Sequence, residues 1–200
     1  AAATFAVSGI TAHEAVHRGR VRSGQQVLVL GASGAVGTYA VQLAAVSGAH
    51  VTGVCSAAKR DFVEHLGAER TFDYRTTSLP DMGGPFDVIL DVAGNRRLRD
   101  LRLALSPAGA LVIVGGEGGG PFLGGIHRNL IAGVTNPFTK QRLEWFVSTP
   151  TSDQCAEFAD LVAAHSIQTP VDRLVGLEGL RDGVEAMQRG GLRGHVIVQP

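Results

Sequence analysis

The sequence predicts a doubly wound α/β fold, in which helices cover both faces of a parallel sheet. Three observations support this prediction. Apolar, β-branched runs alternate with segments whose apolar residues recur at helical spacing. The first run, at 27–30, leads into glycines at positions 31, 34 and 37 and then into a helical pattern. The chain has 200 residues, 44% of them hydrophobic, which is enough to bury the core of one α/β domain.

The predicted strands are short apolar runs. The run at 27–30 has four β-favouring residues in succession, which is typical of a strand buried on both faces. The run at 50–55 is rich in β-branched residues, and the run at 86–92 follows a turn-forming Gly-Gly-Pro. In chain order the predicted strands are 27–30, 50–55, 70–74, 86–92, 110–114, 171–175 and 195–198.

The predicted helices repeat apolar residues every three or four positions. In the helix that starts near Ala35, for example, Val41, Ala44 and Ala45 share one side. Gly67 marks the end of one helix, and Pro107 with Gly109 stops another. In chain order the predicted helices are 11–19, 35–46, 57–66, 97–105, 153–165 and 177–188.

The turn after the first strand has the features of an anion site. Glycines at positions 31, 34 and 37 let the backbone approach a ligand closely. The first N–H groups of a helix lack acceptors within it, and the helix dipole places about half a positive charge there. Both features favour a bound pyrophosphate. A glycine turn between a strand and a helix therefore predicts a dinucleotide site at the carboxyl ends of the strands.

The end of the second strand indicates which dinucleotide binds. Sites that prefer NAD usually place Asp or Glu there, bonded to the adenosine ribose. Here the strand ends without a carboxylate, and Ser56 and Lys59 follow it. A carboxylate would repel a 2′-phosphate, whereas a hydroxyl and an ammonium would bind one, so we expect NADPH. The alternative is that Ser56 caps the following helix and Lys59 is a solvated helix residue.

Composition argues against several other classes of protein. Eighteen basic residues balance 18 acidic ones, so we expect no nucleic-acid partner. No apolar run approaches the ~20 residues that cross a membrane, so we expect no membrane association. Two distant cysteines, Cys55 and Cys155, are typical of a reduced, cytoplasmic protein. A short-chain dehydrogenase needs Tyr-x-x-x-Lys, and neither tyrosine is followed by lysine at that spacing.

Several short motifs occur in the order that one known family shows. They are Ser8-Gly-Ile-Thr-Ala12, Gly24-Gln-Gln-Val-Leu28, Gly31-Ala-Ser-Gly-Ala-Val-Gly37, Ala40-Val-Gln-Leu43, Val51-Thr-Gly-Val-Cys-Ser56, Leu66-Gly-Ala68, Asp73-Tyr74, Phe86-Asp-Val-Ile89 and Arg193-Gly-His-Val-Ile197. Together they resemble the Rossmann-type cofactor-binding half of medium-chain dehydrogenases/reductases, specifically the zinc-free quinone-oxidoreductase-like branch. The resemblance runs from Ala1 to the last residue.

The resemblance implies which residues contact NADPH. They are Gly31, Ser33, Gly34, Ala35, Val36 and Gly37 for the pyrophosphate, Ser56, Lys59 and Tyr74 for the 2′-phosphate end, Val92, Gly115 and Gly116 for the nicotinamide side, and Arg193, Gly194 and His195 for closure over the cofactor. His195 departs from the lysine usual in the family. Tyr74 has an alternative role as a strand-end aromatic packed on the sheet.

The resemblance also implies an organisation and a reaction. Residues 1–170 would form the NADP-binding domain, and residues 171–200 a strand–helix–strand unit that packs on an N-terminal substrate domain. The substrate would be a quinone or a small carbonyl compound such as an enone, which accepts hydride; no catalytic residue is assigned. Family members often dimerise by extending a sheet edge, here at 110–114 or its neighbour. The alternative function is a nucleotide-binding module without turnover.

Two observations bear on metal ions. Relatives that use a catalytic zinc carry a cysteine at a position that falls near Ala6, so the resemblance predicts no metal here. His13, Glu14 and His17 match H-E-x-x-H, the zinc-binding helix of metalloproteases. No Gly-x-x-His follows, so we interpret the two histidines as surface or interdomain residues.

Overall fold

The strands form two parallel sheets in the computed structural model, which describes residues 5–114 and 140–199. The larger sheet has the order β3-β2-β1-β4-β5-β6, and every neighbouring pair in it is parallel. The strands are β1 (Gln26–Leu30), β2 (His50–Cys55), β3 (Arg70–Asp73), β4 (Phe86–Asp91), β5 (Leu105–Ile113), β6 (Arg142–Trp145), β7 (Val171–Gly176) and β8 (His195–Gln199). The strand order reverses at β1, as in doubly wound folds, and the predicted fold class is confirmed.

Helices connect these strands. Within the described residues the α-helices are α1 (Ile10–Gly19), α2 (Ala35–Val46), α3 (Arg60–His65), α4 (Leu98–Ala104), α5 (Ser152–His165) and α6 (Leu180–Gln188). Short 3₁₀ turns at Ala57–Lys59 and Leu177–Gly179 lead into α3 and α6. At the start of α5, Thr151 and Gln154 bond each other's backbone N–H groups, which satisfies two donors that the helix itself leaves unpaired.

Strand β1 is buried on both of its faces. Val27 and Val29 belong to the cluster that includes Ile10 of α1 and the residues of α2. Leu28 and Leu30 belong to the opposite cluster, together with Leu101 of α4. Helices therefore cover both faces of the sheet, as the unbroken apolar run predicts.

The segment that leads into the smaller sheet, formed by β7 and β8, is hydrogen-bonded to α2, although the bonded residues are far apart in sequence. The Gln42 side chain accepts from Gln168 N–H at 2.7 Å and donates to the Gln168 carbonyl at 3.0 Å. The Tyr39 hydroxyl bonds the Thr169 hydroxyl at 3.1 Å. These contacts hold the chain that enters β7 against the helix that follows the glycine turn.

Strand β5 corrects the sequence prediction around Pro107. We expected Pro107 and Gly109 to end a helix before a strand at 110–114. Instead the helix ends at Ala104 and the strand runs over Leu105–Ile113. The pairing register between β4 and β5 shifts after their first residue pair, and Pro107 lies in the part of β5 between that pair and the next. Proline is tolerated at such an irregularity because regular ladder hydrogen bonds are interrupted there.

Strand β6 is an element that the sequence prediction missed. It pairs with β5, so β5 is internal and β6 forms that edge of the sheet in the described residues. Of the two strands named for sheet-edge dimerisation, only the neighbour of 110–114 therefore lies at an edge.

In the ranges 5–114 and 140–199, no helix is both long enough and apolar enough to cross a bilayer.

Candidate functional site

A cleft of about 360 Å³ opens at the carboxyl ends of β1, β2 and β4. This is the point where the strand order reverses, at which doubly wound proteins bind their ligands. Its lining in the described residues consists of Leu30, Gly31, Ser33, Gly34, Val54, Cys55, Ser56, Lys59, Tyr74, Val92, Ala93, Asn95, Arg96 and Gly190. None of these residues is acidic, and two are cationic. The cleft therefore suits an anionic ligand.

The glycine turn forms one wall of the cleft. Gly31 has a φ of +83°, which L side chains rarely adopt, and its carbonyl accepts from Gly34 N–H at 3.0 Å. A Cβ on Gly37 would lie 2.1 Å from that same carbonyl oxygen. Glycine at 31 and 37 is thus required by the turn itself rather than by a ligand.

Gly34 differs from these two glycines because its side-chain position is open. An added Cβ would meet only the Gly31 carbonyl oxygen, at 3.4 Å. Gly34 precedes α2, whose first amides, at Ala35 and Val36, have no acceptor within the helix. The turn therefore leaves space beside the positive end of α2, and the residues fit a pyrophosphate.

The far end of the cleft is cationic. The Lys59 ammonium donates to the carbonyls of Gly190 at 2.7 Å and Leu192 at 2.5 Å, which leaves one of its three N–H groups. Burial lowers the pKa of Lys59; Cys55 and Asp172 oppose that effect, and Arg193 and Arg75 add to it. The guanidinium of Arg75 lies 5.2 Å from the centre of the exposed Tyr74 ring.

Cys55 lies inside this end of the cleft, where it is 3% exposed. Burial raises the pKa of its thiol to about 11. The thiol is therefore protonated at neutral pH, which disfavours oxidation because the thiolate is the reactive form.

The segment 190–195 lies against the glycine turn. Gly194 N–H donates to the Ser33 carbonyl at 2.9 Å, and the Arg193 guanidinium donates to the Ala58 carbonyl at 3.0 Å. The His195 ring is buried, and its Nδ1 lies 3.1 Å from the Pro170 carbonyl. Its Nε2 is buried without a hydrogen-bond partner in the described structure. Burial lowers the pKa of His195, while the Pro170 carbonyl acts in the opposite direction.

The loop after β4 lines the side of the cleft on which the resemblance puts the nicotinamide. Asp91 is fully buried at the end of β4, and its carboxylate accepts from Gly94 N–H at 3.0 Å. This bond fixes the turn that presents Val92, Ala93 and Asn95 to the cleft.

The structure brings most of the residues predicted for the site to one place. Gly31, Ser33, Gly34, Ser56, Lys59, Tyr74 and Val92 line the cleft, Ala35, Val36 and Gly37 begin α2, and Arg193, Gly194 and His195 lie on the segment against Ser33. Gly115 and Gly116 lie outside the described residues.

Sequence reasoning missed Asn95, Arg96 and Gly190. Asn95 and Arg96 follow the carboxyl end of β4, so the rule that ligands bind at the carboxyl ends of parallel strands is the signal that could have pointed to them. Gly190 is separated from Lys59 by 131 positions, and nothing in the local sequence indicates their contact.

The H-E-x-x-H segment lies on α1, away from this cleft. The Glu14 carboxylate is bonded to Arg18 at 2.7 Å, and His13 and His17 face a second cavity. In the part of the chain that the structure describes, no three His, Cys, Asp or Glu side chains are arranged to hold a metal ion.

Comparisons with known proteins agree on one family. The sequence profile of the family described as zinc-binding dehydrogenase matches residues 35–162. The chain is 30% identical over 222 residues to the mitochondrial NAD(P)H oxidoreductase RTN4IP1 of Bos taurus, covering 98% of this chain and 54% of that protein. It is 27% identical over 208 residues to the chloroplastic quinone-oxidoreductase homolog of Spinacia oleracea, covering 99% and 61%.

Among solved structures, the quinone oxidoreductase from Coxiella burnetii superimposes with a TM-score of 0.81 at 22% identity. The match covers 96% of this chain and 58% of that one, and at this identity it supports the fold alone. The chain thus spans between 54% and 61% of the length of these proteins.

Proposed function

The chain belongs to the zinc-binding dehydrogenase family, within the medium-chain dehydrogenases/reductases, and we propose that it is the NADPH-binding part of a quinone-oxidoreductase-like enzyme. The cleft's charge carries this proposal. No acidic side chain lines the cleft in the described residues, and Lys59 and Arg96 are its two cationic lining residues. An adenosine 2′-phosphate would be attracted there, whereas NADH would find no carboxylate for its ribose.

Each wall of the cleft has a part in holding the cofactor. The first amides of α2 bind the pyrophosphate, and the remaining N–H of Lys59 together with Ser56 and Tyr74 binds the 2′-phosphate end. By the family resemblance, Val92, Gly115 and Gly116 would line the nicotinamide side, and Arg193, Gly194 and His195 would close over the cofactor. When bound, NADPH supplies a hydride for a quinone or a polarised carbonyl such as an enone. The protein's own contribution is to position the cofactor and exclude water.

We propose that the enzyme works without a catalytic zinc. Position 6 is alanine, which has no ligating atom, where zinc-using relatives are expected to carry a cysteine. The residue present therefore does not fit that metal at this position.

We further propose that residues 171–200 contact a substrate domain. Leu177 and Met187 are 65% and 63% exposed, and Leu180 and Val184 are exposed on the same unit. A contiguous apolar surface of this kind marks a contact with another part of a protein. The relatives are longer than this chain, which is consistent with such a domain.

We propose a reducing compartment such as the cytoplasm as the location of the protein, because both cysteines are free.

We also propose that a homodimer forms through the edge strand β6, because its outer side has no strand partner in the described residues.

Cofactor preference is tested by a carboxylate at the end of β2. We expect Ser56→Asp to weaken NADPH binding about tenfold or more, because the new charge repels the 2′-phosphate, and to leave NADH binding equal or stronger. Fluorescence titration of each reduced nucleotide measures both affinities. Ser23→Asp, an exposed serine beside the start of β1, adds the same charge away from the cleft and serves as the control. A preference of the unaltered chain for NADH would overturn the proposal.

The second candidate, which the sequence leaves open, is a nucleotide-binding module without turnover. Adding a quinone to the full-length protein with bound NADPH, and following the absorbance of the reduced nicotinamide, separates the two functions. Oxidation supports the enzyme, and binding without oxidation supports the module.

A further inference from the structure

A second cleft, of about 510 Å³, lies at the opposite edge of the sheet from the cofactor cleft. It is bounded by the carboxyl-terminal ends of α1, α2 and α5. Arg20 and Arg22, which line it, precede the start of β1, and Ser47 precedes the start of β2. The cleft thus lies at the amino ends of the strands, away from the residues proposed to hold NADPH.

The rim of this second cleft is basic. It carries His13 and His17 from α1, Arg20 and Arg22 from the following turn, and His165 from the end of α5. No Asp or Glu belongs to the lining among the described residues. Glu14, the nearest acid in sequence, is neutralised by Arg18. The rim therefore offers two guanidinium groups whose charge has no acidic counterpart in the cleft, together with imidazole rings that can form hydrogen bonds.

Apart from Ser47, the remainder of the lining is aliphatic. Val16 and Leu43 are almost completely buried beneath the cleft, and Leu161 is partly buried. Val46, at the end of α2, is 44% exposed. The volume of the cleft is within the usual range of ligand pockets. Its apolar surface beside a basic rim fits a molecule that has an apolar part and an anionic part.

Several carbonyls at the carboxyl-terminal ends of α1 and α2 already have hydrogen-bond donors. The carbonyl of His17 accepts from Arg20 N–H at 2.9 Å, and that of Val16 accepts from Val21 N–H at 3.2 Å. At the end of α2, the Leu43 carbonyl accepts from Ser47 N–H at 3.1 Å. These bonds weaken the negative ends of the two helix dipoles, which would otherwise oppose a bound anion. Among the described residues, neither Arg20 nor Arg22 forms an ion pair.

We propose that this cleft binds a small amphiphilic carboxylate, with its aliphatic chain on the valine and leucine floor and its head between Arg20 and Arg22. A metal ion is the less suitable occupant, because two guanidinium groups would repel it and the described histidines are not arranged as a ligand set. The site is independent of the proposed cofactor chemistry.

Decanoate tests the proposal by isothermal titration calorimetry on the whole chain, with decan-1-ol and acetate as probes of tail and head alone. We expect decanoate to bind, and Arg20→Gln/Arg22→Gln to weaken it about tenfold or more. Val46→Asp, at an exposed position, tests the same cleft through its floor and should weaken binding to a similar degree.

Two controls make the outcome specific. Arg181→Gln removes a charge beside the exposed apolar residues of α6 and should leave decanoate binding unchanged. An unchanged circular dichroism spectrum and melting temperature show that each variant is folded. Absence of decanoate binding at millimolar concentration, equal binding of decanol, or equal loss in Arg181→Gln would overturn the proposal.

Discussion

Lys59 connects two parts of the chain that are far apart in sequence. Its ammonium donates to carbonyls of Gly190 and Leu192, and two residues later Gly194 bonds the glycine turn. Hydrogen bonds to a charged group are stronger than neutral ones, and burial protects them from competition by water. Lys59 therefore holds the segment that lies against the turn, in addition to the part we propose for it in phosphate binding.

This holding function predicts a change in local opening. In Lys59→Met the two carbonyls lose their donor, so the Gly194 amide should exchange with solvent about tenfold faster or more. Hydrogen-exchange measurements on that amide test this. Arg189→Met removes an exposed cation of the same region, paired only with Glu185, and should leave the exchange rate unchanged. Equal protection in wild type and Lys59→Met would contradict the prediction.

His195 makes the fold sensitive to acid. Burial lowers its pKa below the ordinary value of 6.5, so the folded state favours the neutral ring. The unfolded state then binds the proton more readily, and stability present above about pH 6.5 is lost as the pH falls through and below that value.

We expect His195→Gln to reduce this loss, because glutamine still donates to the Pro170 carbonyl but takes up no proton. Urea unfolding between about pH 8 and about pH 5 provides the measurement. His165→Gln, at an exposed histidine, is the control and should keep the pH dependence of the wild type. An unchanged dependence in His195→Gln would show that other groups cause it.

At the level of elements, the glycines of the turn have different roles. Gly37 is needed for the fold, whereas Gly34 leaves space for a ligand. Gly37→Ala should destabilise the fold by about 1–3 kcal/mol, because its Cβ would overlap the Gly31 carbonyl. This loss is a net value, because the overlap outweighs the stabilisation of about 1 kcal/mol that alanine gives over glycine within a helix. Gly34→Ala should change stability by less than about 0.5 kcal/mol, because its position is open. Urea unfolding compares the two variants, and equal effects would contradict this account.

Sequence patterns predicted most elements because the relevant forces are local. Apolar runs identified β1, β2 and β4, and the glycines located the turn before α2. Strand β6 was missed because Arg142–Trp145 alternates polar and apolar residues over only four positions, which is too short a pattern to stand out. Pro107 was misleading because its tolerance in β5 depends on a register shift with another strand.

The residues of the candidate site also fall into two groups, those that the sequence predicts and those whose contacts depend on packing between distant segments. The turn and Ser56 follow from the rule that ligands bind at the carboxyl ends of strands, and Val92 follows from the family resemblance. The contacts of Lys59 with the segment after α6, and the buried position of His195, depend on how distant segments pack. No local pattern in the sequence carries that information.

For the whole molecule, the exposed apolar side of α6 should cause self-association that is separate from the homodimer proposed at β6. We expect Leu177→Lys/Met187→Lys to preserve the melting temperature, since both side chains are largely exposed, and to reduce self-association and dye binding. Analytical ultracentrifugation and anilinonaphthalene sulfonate fluorescence measure these effects. Leu103→Lys, an exposed leucine on α4, is the control and should change neither. Association that persists in the double variant would point instead to the edge strand β6.

The parallel arrangement of the sheet has a consequence for the way the molecule forms. Parallel neighbours cannot be joined by a tight hairpin, so each pairing brings together segments that are remote along the chain. At the start of β1, the Gln26 amide bonds the Asp87 carboxylate, 61 positions away. The entropy of closing such large loops must be overcome before these contacts contribute, so acquisition of the native state should be slow compared with that of a helical bundle of similar size.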